Sequence, residues 1–302
     1  MYHHGWYQLA FAHEVEGEVS RAAVGTTRLV VVRTPNGVRV ADAVCPHRGA
    51  DLAFGGRMVA EGLVCPFHGF RIGLGRPSDQ GLCVREYRTL TVRDLVFVQM
   101  SDGFDNGFAG VMEKLGASLT LIPGFSLKVR TQPEMVIENA FDQAHFGPVH
   151  GIGISRAFQM RPSERGELAV EGMFELPPSP WQRGRPGPEG SPVPFLARAF
   201  SPGIVISDLG GAYPYTVITA ATPTPEGSCV IRLSLGLPPA EDGGRPRPEL
   251  VDYLARRSRA GIDKDRIVWE HLTAPSIAST PLDEPVREFR DFCARFAGLV
   301  LA

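Results

Sequence analysis

Cysteine is scarce in this sequence of 302 residues: Cys45, Cys65, Cys83, Cys229 and Cys293 are all there are. An odd number, thinly spread over so long a chain, does not make a disulfide framework. Charge of either sign is not in excess, with 31 Lys and Arg against 33 Asp and Glu. Without a basic surface, neither nucleic acid nor an anionic membrane is expected as the main partner. No apolar run approaches the roughly 18 residues that span a bilayer. The opening Met1-Tyr2-His3-His4-Gly5-Trp6 lacks the basic-then-apolar layout of a secretion signal, so a cytoplasmic location is expected. A glycine-rich nucleotide fingerprint in strand–helix context is also missing, which argues against direct binding of NADH.

What is present is 43% apolar residues, enough for two domains with substantial cores. Residues 1–101 read as short strands separated by turns. A β-branched run at 27–32 is followed by Pro35-Asn36-Gly37, a hairpin signal, and by an alternating return at 38–44. Residues 63–65, 70–72 and 95–100 continue a small antiparallel β domain. The segment 101–107 reads as the junction with the next domain. Residues 102–302 mix strands and helices, an α+β pattern. Strands are expected at 126–131, 168–174, 204–206, 215–220 and 230–235, and a helix at 134–145 ended by Gly147-Pro148. The Pro- and Gly-rich stretch 177–194 reads as a flexible loop or flap. Pro248 opens a long helical pattern through Leu250, Leu254, Ile262 and Trp269, with Gly261 as an interruption. A curved antiparallel sheet with a long helix packed on it is the expected architecture.

Two of the five cysteines sit beside histidines. Cys45-Pro46-His47 and Cys65-Pro66-Phe67-His68 are a Cys-x-His and a Cys-x-x-His pair. With this composition either pair is expected by chance only roughly 0.13 times. Two thiolates on one iron and two imidazoles on the other define a Rieske 2Fe–2S centre. Pro46, Pro66, Gly49 and Gly69 suit tight loops whose backbone N–H groups approach the sulfurs. A Cys2His2 zinc site favours paired cysteines followed by paired histidines, not two mixed loops. Respiratory Rieske subunits carry an extra cysteine in each loop. The corresponding positions here are Ala50 and Phe67, which points to the low-potential oxygenase or ferredoxin type. Cys83, Cys229 and Cys293 read as small buried or half-buried residues.

A second constellation lies at residues 138–150. His145 and His150 are five apart, the wrong spacing for one face of an unbroken helix, but a break at Gly147-Pro148 lets both imidazoles converge. Asp142, one turn earlier, is placed to hydrogen-bond a ligand histidine. Two histidines and a carboxylate with open positions form the pattern of mononuclear Fe(II) sites that activate dioxygen.

With both constellations in view, the sequence resembles the catalytic α-subunit of the Rieske non-haem iron oxygenases over nearly its whole length. The matching residues are Trp6-Tyr7, the loops beginning at Cys45 and Cys65, and an Asn-x-x-Asp-x-x-His-x4-His motif running from Asn139 to His150. The resemblance implies a Rieske domain followed by a helix-grip (START or Bet v 1-like) catalytic domain. It implies that His145 and His150 bind iron, and that Asp142 bridges to the Rieske histidine of a neighbouring subunit in a homotrimer. The family's third ligand is a downstream carboxylate on the long C-terminal helix. Asp265 is the choice here, Asp263 the runner-up and Glu270 a distant third. His3, His4, His13 and His271 read as polar surface. The segment 281–292 looks like the closing segment of the 3-ketosteroid 9α-hydroxylase and cholesterol-desaturase-like branch. The implied reaction is monooxygenation of an apolar or amphipathic small molecule with O2. Electrons come from NAD(P)H only indirectly, through a reductase and in some systems a ferredoxin. Demethylation, desaturation or oxidative cyclisation would use the same iron. An electron-transfer Rieske protein and a small-molecule binder without oxygenase activity are the readings from other classes.

Overall fold

The computed structural model describes residues 4–35, 37–60, 62–101, 105–176, 192–211, 213–240, 243–273 and 280–297. Its first half is all β: β1 (Trp6–Phe11), β2 (Val19–Val24), β3 (Thr27–Thr34), β4 (Gly37–Asp42), β5 (Arg57–Val59), β6 (Gly62–Val64), β7 (Arg71–Leu74), β8 (Cys83–Val84), β9 (Glu86–Val92) and β10 (Leu95–Gln99). Six strands form a sheet in the order β1-β10-β9-β4-β3-β2, and β5 to β8 form a second, smaller one. β3 and β4 pair as the expected hairpin does, with Thr34 opposite Gly37; Asn36 lies outside the described residues. All pairs are antiparallel except β7 with β8. Leu29 to Val32 of β3 and all of β10 are buried, as continuous apolar runs of this length require.

The second half is built on a seven-stranded antiparallel sheet. Its strands are β11 (Thr120–Val129), β12 (Gly153–Arg161), β13 (Leu168–Glu175), β14 (Pro192–Ser201), β15 (Ile204–Leu209), β16 (Tyr215–Pro223) and β17 (Cys229–Leu237), in the order β11-β17-β16-β15-β14-β13-β12. From β12 to β17 each strand pairs with the next in sequence, and β11 closes the far edge. The helices are α1 (Phe108–Ser118), α2 (Pro133–Glu138), α3 (Gln143–His145), α4 (Pro248–Trp269) and α5 (Glu284–Ala294).

Several elements depart from the sequence expectations. The helix expected at 134–145 is two helices, because α2 stops at Glu138 and α3 restarts at Gln143 with Asp142 as its cap. Gly147-Pro148 does not break the chain out of helix. Residues Phe146–His150 form a π-helical turn, and the left-handed Gly151 (φ +67°) ends it. The cause is local. Pro148 has no N–H to give to the carbonyl four residues back and its ring crowds that carbonyl, so the turn widens and Gly151 N–H reaches Phe146 O. Gly261 interrupts nothing; α4 runs unbroken for 22 residues, about 33 Å. Of the loop expected at 177–194, residues 177–191 lie outside the described residues, and Pro192 to Pro194 already belong to β14. Cys83 is exposed, whereas Cys229 and Cys293 are buried.

The two halves share one core. Trp6 and Phe97 pack with Phe108 of α1 and with Phe200, Ile204 and Ile218 of the large sheet. β1 is an edge strand, yet every residue in it is buried. The large sheet covers it: Ser201 Oγ donates to Trp6 O (2.8 Å), and Thr222 Oγ1 and Arg232 Nη1 donate to Gln8 O (2.7 and 3.3 Å). Just before it, His4 N–H donates to Phe296 O at 2.8 Å.

Candidate metal centres

The two cysteine loops are copies of one conformation. In each, the cysteine N–H donates to the carbonyl five residues on: Cys45 to Ala50 and Cys65 to Phe70, both at 2.8 Å. In each, a left-handed glycine four residues on donates back to the cysteine carbonyl: Gly49 (φ +74°) at 2.9 Å and Gly69 (φ +71°) at 3.0 Å. Only the histidine's place differs, third in the first loop and fourth in the second. The loops face each other, with the His47 and His68 rings 4.8 Å apart and edge-on. Cys45 and Cys65 are each 2% exposed and pack with Leu52, Leu63 and Ile72, while both imidazoles stand at the surface. Burial pushes the Cys45 thiol up, the N–H groups of His47 and Arg48 draw it down, and the neighbouring Cys65 raises it further. His68 is held below its ordinary value by desolvation, with His47 and Arg48 adding to the effect. A pair of buried sulfurs and a pair of outer imidazoles would hold a 2Fe–2S cluster with two thiolate and two imidazole ligands. All five cysteines are free.

The second centre joins the π-turn to α4. His145, His150 and Asp265 each offer a donor atom, and the three atoms lie within 4.8 Å of one another. A helical turn that closes on the fifth residue brings positions five apart to one side, so the spacing that fails for an α-helix succeeds here. The two rings are 5.0 Å apart, nearly perpendicular. His145 Nδ1–H donates to Asp142 O (2.5 Å), which leaves Nε2 as its available donor. The Asp142 carboxylate accepts from Ala144 N–H (2.9 Å) and stands 3.7 Å from His145 Nδ1. Burial holds the His145 imidazole below its ordinary value against the pull of Asp142, which favours the neutral form that binds a metal. His150 Nε2 lies 3.1 Å from Asp265 Oδ1.

The other carboxylates are elsewhere. Asp263 points to the surface and pairs with Arg259 at 2.9 Å. Glu270 accepts from Arg130 N–H at 3.2 Å. His271 is exposed and donates to Ile267 O, His13 stacks on Phe11, and His3 lies outside the described residues. One signal separating Asp265 from Asp263 is present in the sequence. Leu254, Gly261, Ile262, Asp265 and Trp269 follow one helical stripe, which puts a carboxylate where α4 is otherwise buried. Gly261 on that stripe faces the π-turn: a Cβ there would stand 4.0 Å from His150 Cε1, an ordinary contact distance. Asn139 accepts from Trp269 Nε1–H at 3.3 Å and so ties the two segments together. Sequence reasoning did not find that tie, nor the aromatic wall beside the donors. Phe146 lies 4.2 Å from His145 and 4.7 Å from Phe174, which in turn packs on Phe195 at 4.6 Å. Two surface clefts of about 240 and 280 Å³, one beside Glu14 and Arg232 and the other beside Lys114 and Arg198, hold none of these donors.

Comparison with known proteins decides the family. Residues 5–85 match the Rieske [2Fe-2S] domain, and residues 105–296 match the 3-ketosteroid 9alpha-hydroxylase C-terminal domain. The chain belongs to the Rieske non-haem iron oxygenases. Members of this family carry the 2Fe–2S cluster and a mononuclear iron that uses O2, and both donor sets of this chain fit those groups by number and chemistry. Among curated relatives, cholesterol 7-desaturase nvd of Xenopus laevis is 39% identical over 87 residues, 28% of this chain and 18% of that protein. The oxygenase component of chloroacetanilide N-alkylformylase from Rhizorhabdus wittichii is 28% identical over 168 residues, 50% of this chain and 47% of that protein. The matches thus take in less than half the length of these relatives. In fold, the chain is similar to apo dicamba monooxygenase (TM-score 0.73, 19% identity, 96% and 95% of the two chains covered). It is also similar to NdmB of Pseudomonas putida CBB5 (TM-score 0.67, 19% identity, 95% and 88% covered).

Proposed function

We propose that this chain is the terminal component of a monooxygenase that hydroxylates an apolar or amphipathic small molecule, drawing electrons from an external NAD(P)H-dependent reductase, directly or through a ferredoxin. The observation that carries this reading is the meeting of His145, His150 and Asp265 beside the phenylalanine wall. Iron held by the three side chains supplies dioxygen activation. The chain supplies everything around it: Asp142 orients the His145 ring, Asp265 offers a charge to the metal, and Phe146, backed by the buried Phe174 and Phe195, makes the side of the site apolar. The steroid-hydroxylase family model favours hydroxylation of a bulky alicyclic compound. The names of the relatives, a desaturase and an N-alkylformylase, support desaturation or oxidative dealkylation as the second reading.

The proposal divides the chain into a cluster-bearing domain, 1–101, and a catalytic domain, 102–302. Cys45, His47, Cys65 and His68 hold the 2Fe–2S cluster; His145, His150 and Asp265 hold the mononuclear iron. Asp142 links this site to the Rieske histidine of the next subunit in a homotrimer, and Asn139 fixes the turn that carries Asp142. The distribution of exposed apolar side chains supports the assembly. Among the described residues the large ones are Val44, Phe54 and Phe67 around the cluster loops, and Ile267, Val268, Leu272 and Leu282. Ile267, Val268 and Leu272 lie at the end of α4 and just after it, and Leu282 lies just before α5. Two different apolar patches, one near each centre, suit a head-to-tail ring. Free cysteines suit the reducing cytoplasm, where we place the protein. No helix among the described residues is long and apolar enough to cross a membrane.

Iron analysis is the test. After anaerobic loading, about three irons per chain are expected, two in the cluster and one at the triad. A stable value of two would reject the oxygenase reading in favour of electron transfer alone.

A further inference from the structure

α5 lies outside both centres, yet it grips the segment that carries the histidines. Arg290 makes a two-pronged pair with Glu138, Nε to Oε2 at 2.7 Å and Nη2 to Oε1 at 2.9 Å, across 152 residues of sequence. Glu138 is the last residue of α2 and its side chain is only 13% exposed. Beside this pair, Phe289 of α5 stacks on Phe141 at 5.1 Å and 18°, and both rings are fully buried. Residues 139–142 are the break between α2 and α3, so they have no continuous helix to set their course. Their conformation decides where Asp142 and His145 point. Asp142 and Asp283 also lie close enough to Arg290 to stabilise its charge, after the larger effect of Glu138.

We infer that Arg290 is a positioning residue for the three-donor centre: its fork on Glu138 fixes the end of α2, and with it the turn that delivers Asp142, His145 and His150. A guanidinium fork holds a carboxylate in one plane as well as at one distance, which a single packing contact does not do. The inference rests on the metal-binding reading of His145, His150 and Asp265.

The test measures Fe(II) affinity in the full chain with its cluster in place, together with the electron paramagnetic resonance of the Fe(II)–nitric oxide adduct. Neither needs turnover or a known substrate. Glu138→Gln and Arg290→Gln should each raise the Fe(II) dissociation constant about tenfold, as loss of a supporting partner around a metal ligand does. Both should broaden the adduct signal while the cluster spectrum stays unchanged. The double variant should be no worse than either single one, and Arg290→Lys should recover part of the affinity. Glu226→Gln, which removes an exposed pair with Lys128, is the control and should match the wild type. Wild-type affinity and line shape in the two Gln variants would overturn the inference. So would an equal loss in Phe289→Leu, which loosens α5 and leaves the ion pair in place. If the wild type itself binds no third iron, the metal reading fails first, and the two failures are told apart.

Discussion

Asp265 is a carboxylate on the buried stripe of α4, 7% exposed, with His150 as its near partner. A buried charge of this kind is costly unless it is matched, and two imidazoles alone match it poorly. Asp265→Ala should therefore abolish binding of the mononuclear iron and leave the cluster's visible spectrum intact. Asp263→Ala, which removes only an exposed pair with Arg259, should leave three irons per chain; metal analysis of the two variants decides between them. The cysteines give a second expectation. Burial pushes the Cys229 thiol up to about 12 and raises that of Cys293 as well, so both stay neutral and unreactive at pH 8. Cys83 is exposed on β8. Alkylation of the native, cluster-loaded protein followed by mass spectrometry should mark Cys83 and no other cysteine until the chain is unfolded. At this scale the sequence was highly legible. His145 and His150 were proposed as ligands from residue type and spacing, Asp265 through the family resemblance, and the structure brings the three donor atoms together. Cys83 was misjudged because cysteine composition carries no information on which strand face a residue takes.

The π-turn and α4 show where legibility fell at the level of elements. Gly147-Pro148 spells a helix stop in any local reading, and Gly261 spells an interruption. The first became a widened turn because Gly151 was available to close it, and the second remained helix because α4 is anchored on both sides of it by Leu254 and Trp269. α1, β1 and β12 left no usable sequence signal, since each owes its place to packing against distant strands. Gly261→Ala follows from this account. Its new methyl would meet His150 Cε1 at an ordinary contact distance of 4.0 Å, and the helix would gain intrinsic propensity. We expect stabilisation of about 0.5–1 kcal/mol, read as a higher midpoint in thermal or urea unfolding of the metal-free chain. A lower midpoint would show that α4 presses closer to the π-turn than this distance allows.

For the molecule as a whole, the exposed apolar patches give the sharpest expectation. Phe67→Asp or Leu272→Asp should shift the assembly towards monomers in light scattering, with three irons still bound per chain. If electrons pass between subunits, a cluster-dead variant (Cys45→Ala) and an iron-dead variant (Asp265→Ala) should complement each other when co-assembled. Random mixing in a head-to-tail ring pairs a live cluster with a live iron in about a quarter of the contacts, so roughly a quarter of wild-type turnover is expected. No recovery would mean that each chain serves its own iron. The proposed ring was legible in the sequence only through family resemblance, because surface patches are assembled from residues with no periodicity that joins them, such as Val44 and Phe67.

The burial of β1 bears on how the protein is made. The partners that cover its carbonyls, Ser201, Thr222 and Arg232, lie 195 to 224 positions later in the chain. At ribosomal rates of about 5–20 residues per second, a nascent chain waits roughly 10–45 s between emergence of β1 and arrival of its cover. Both cysteine loops are synthesised well inside that interval. The two cysteine loops are thus exposed to iron, sulfide and oxygen while the β1 edge of the larger of the domain's two sheets is still open, and slow translation would lengthen that window.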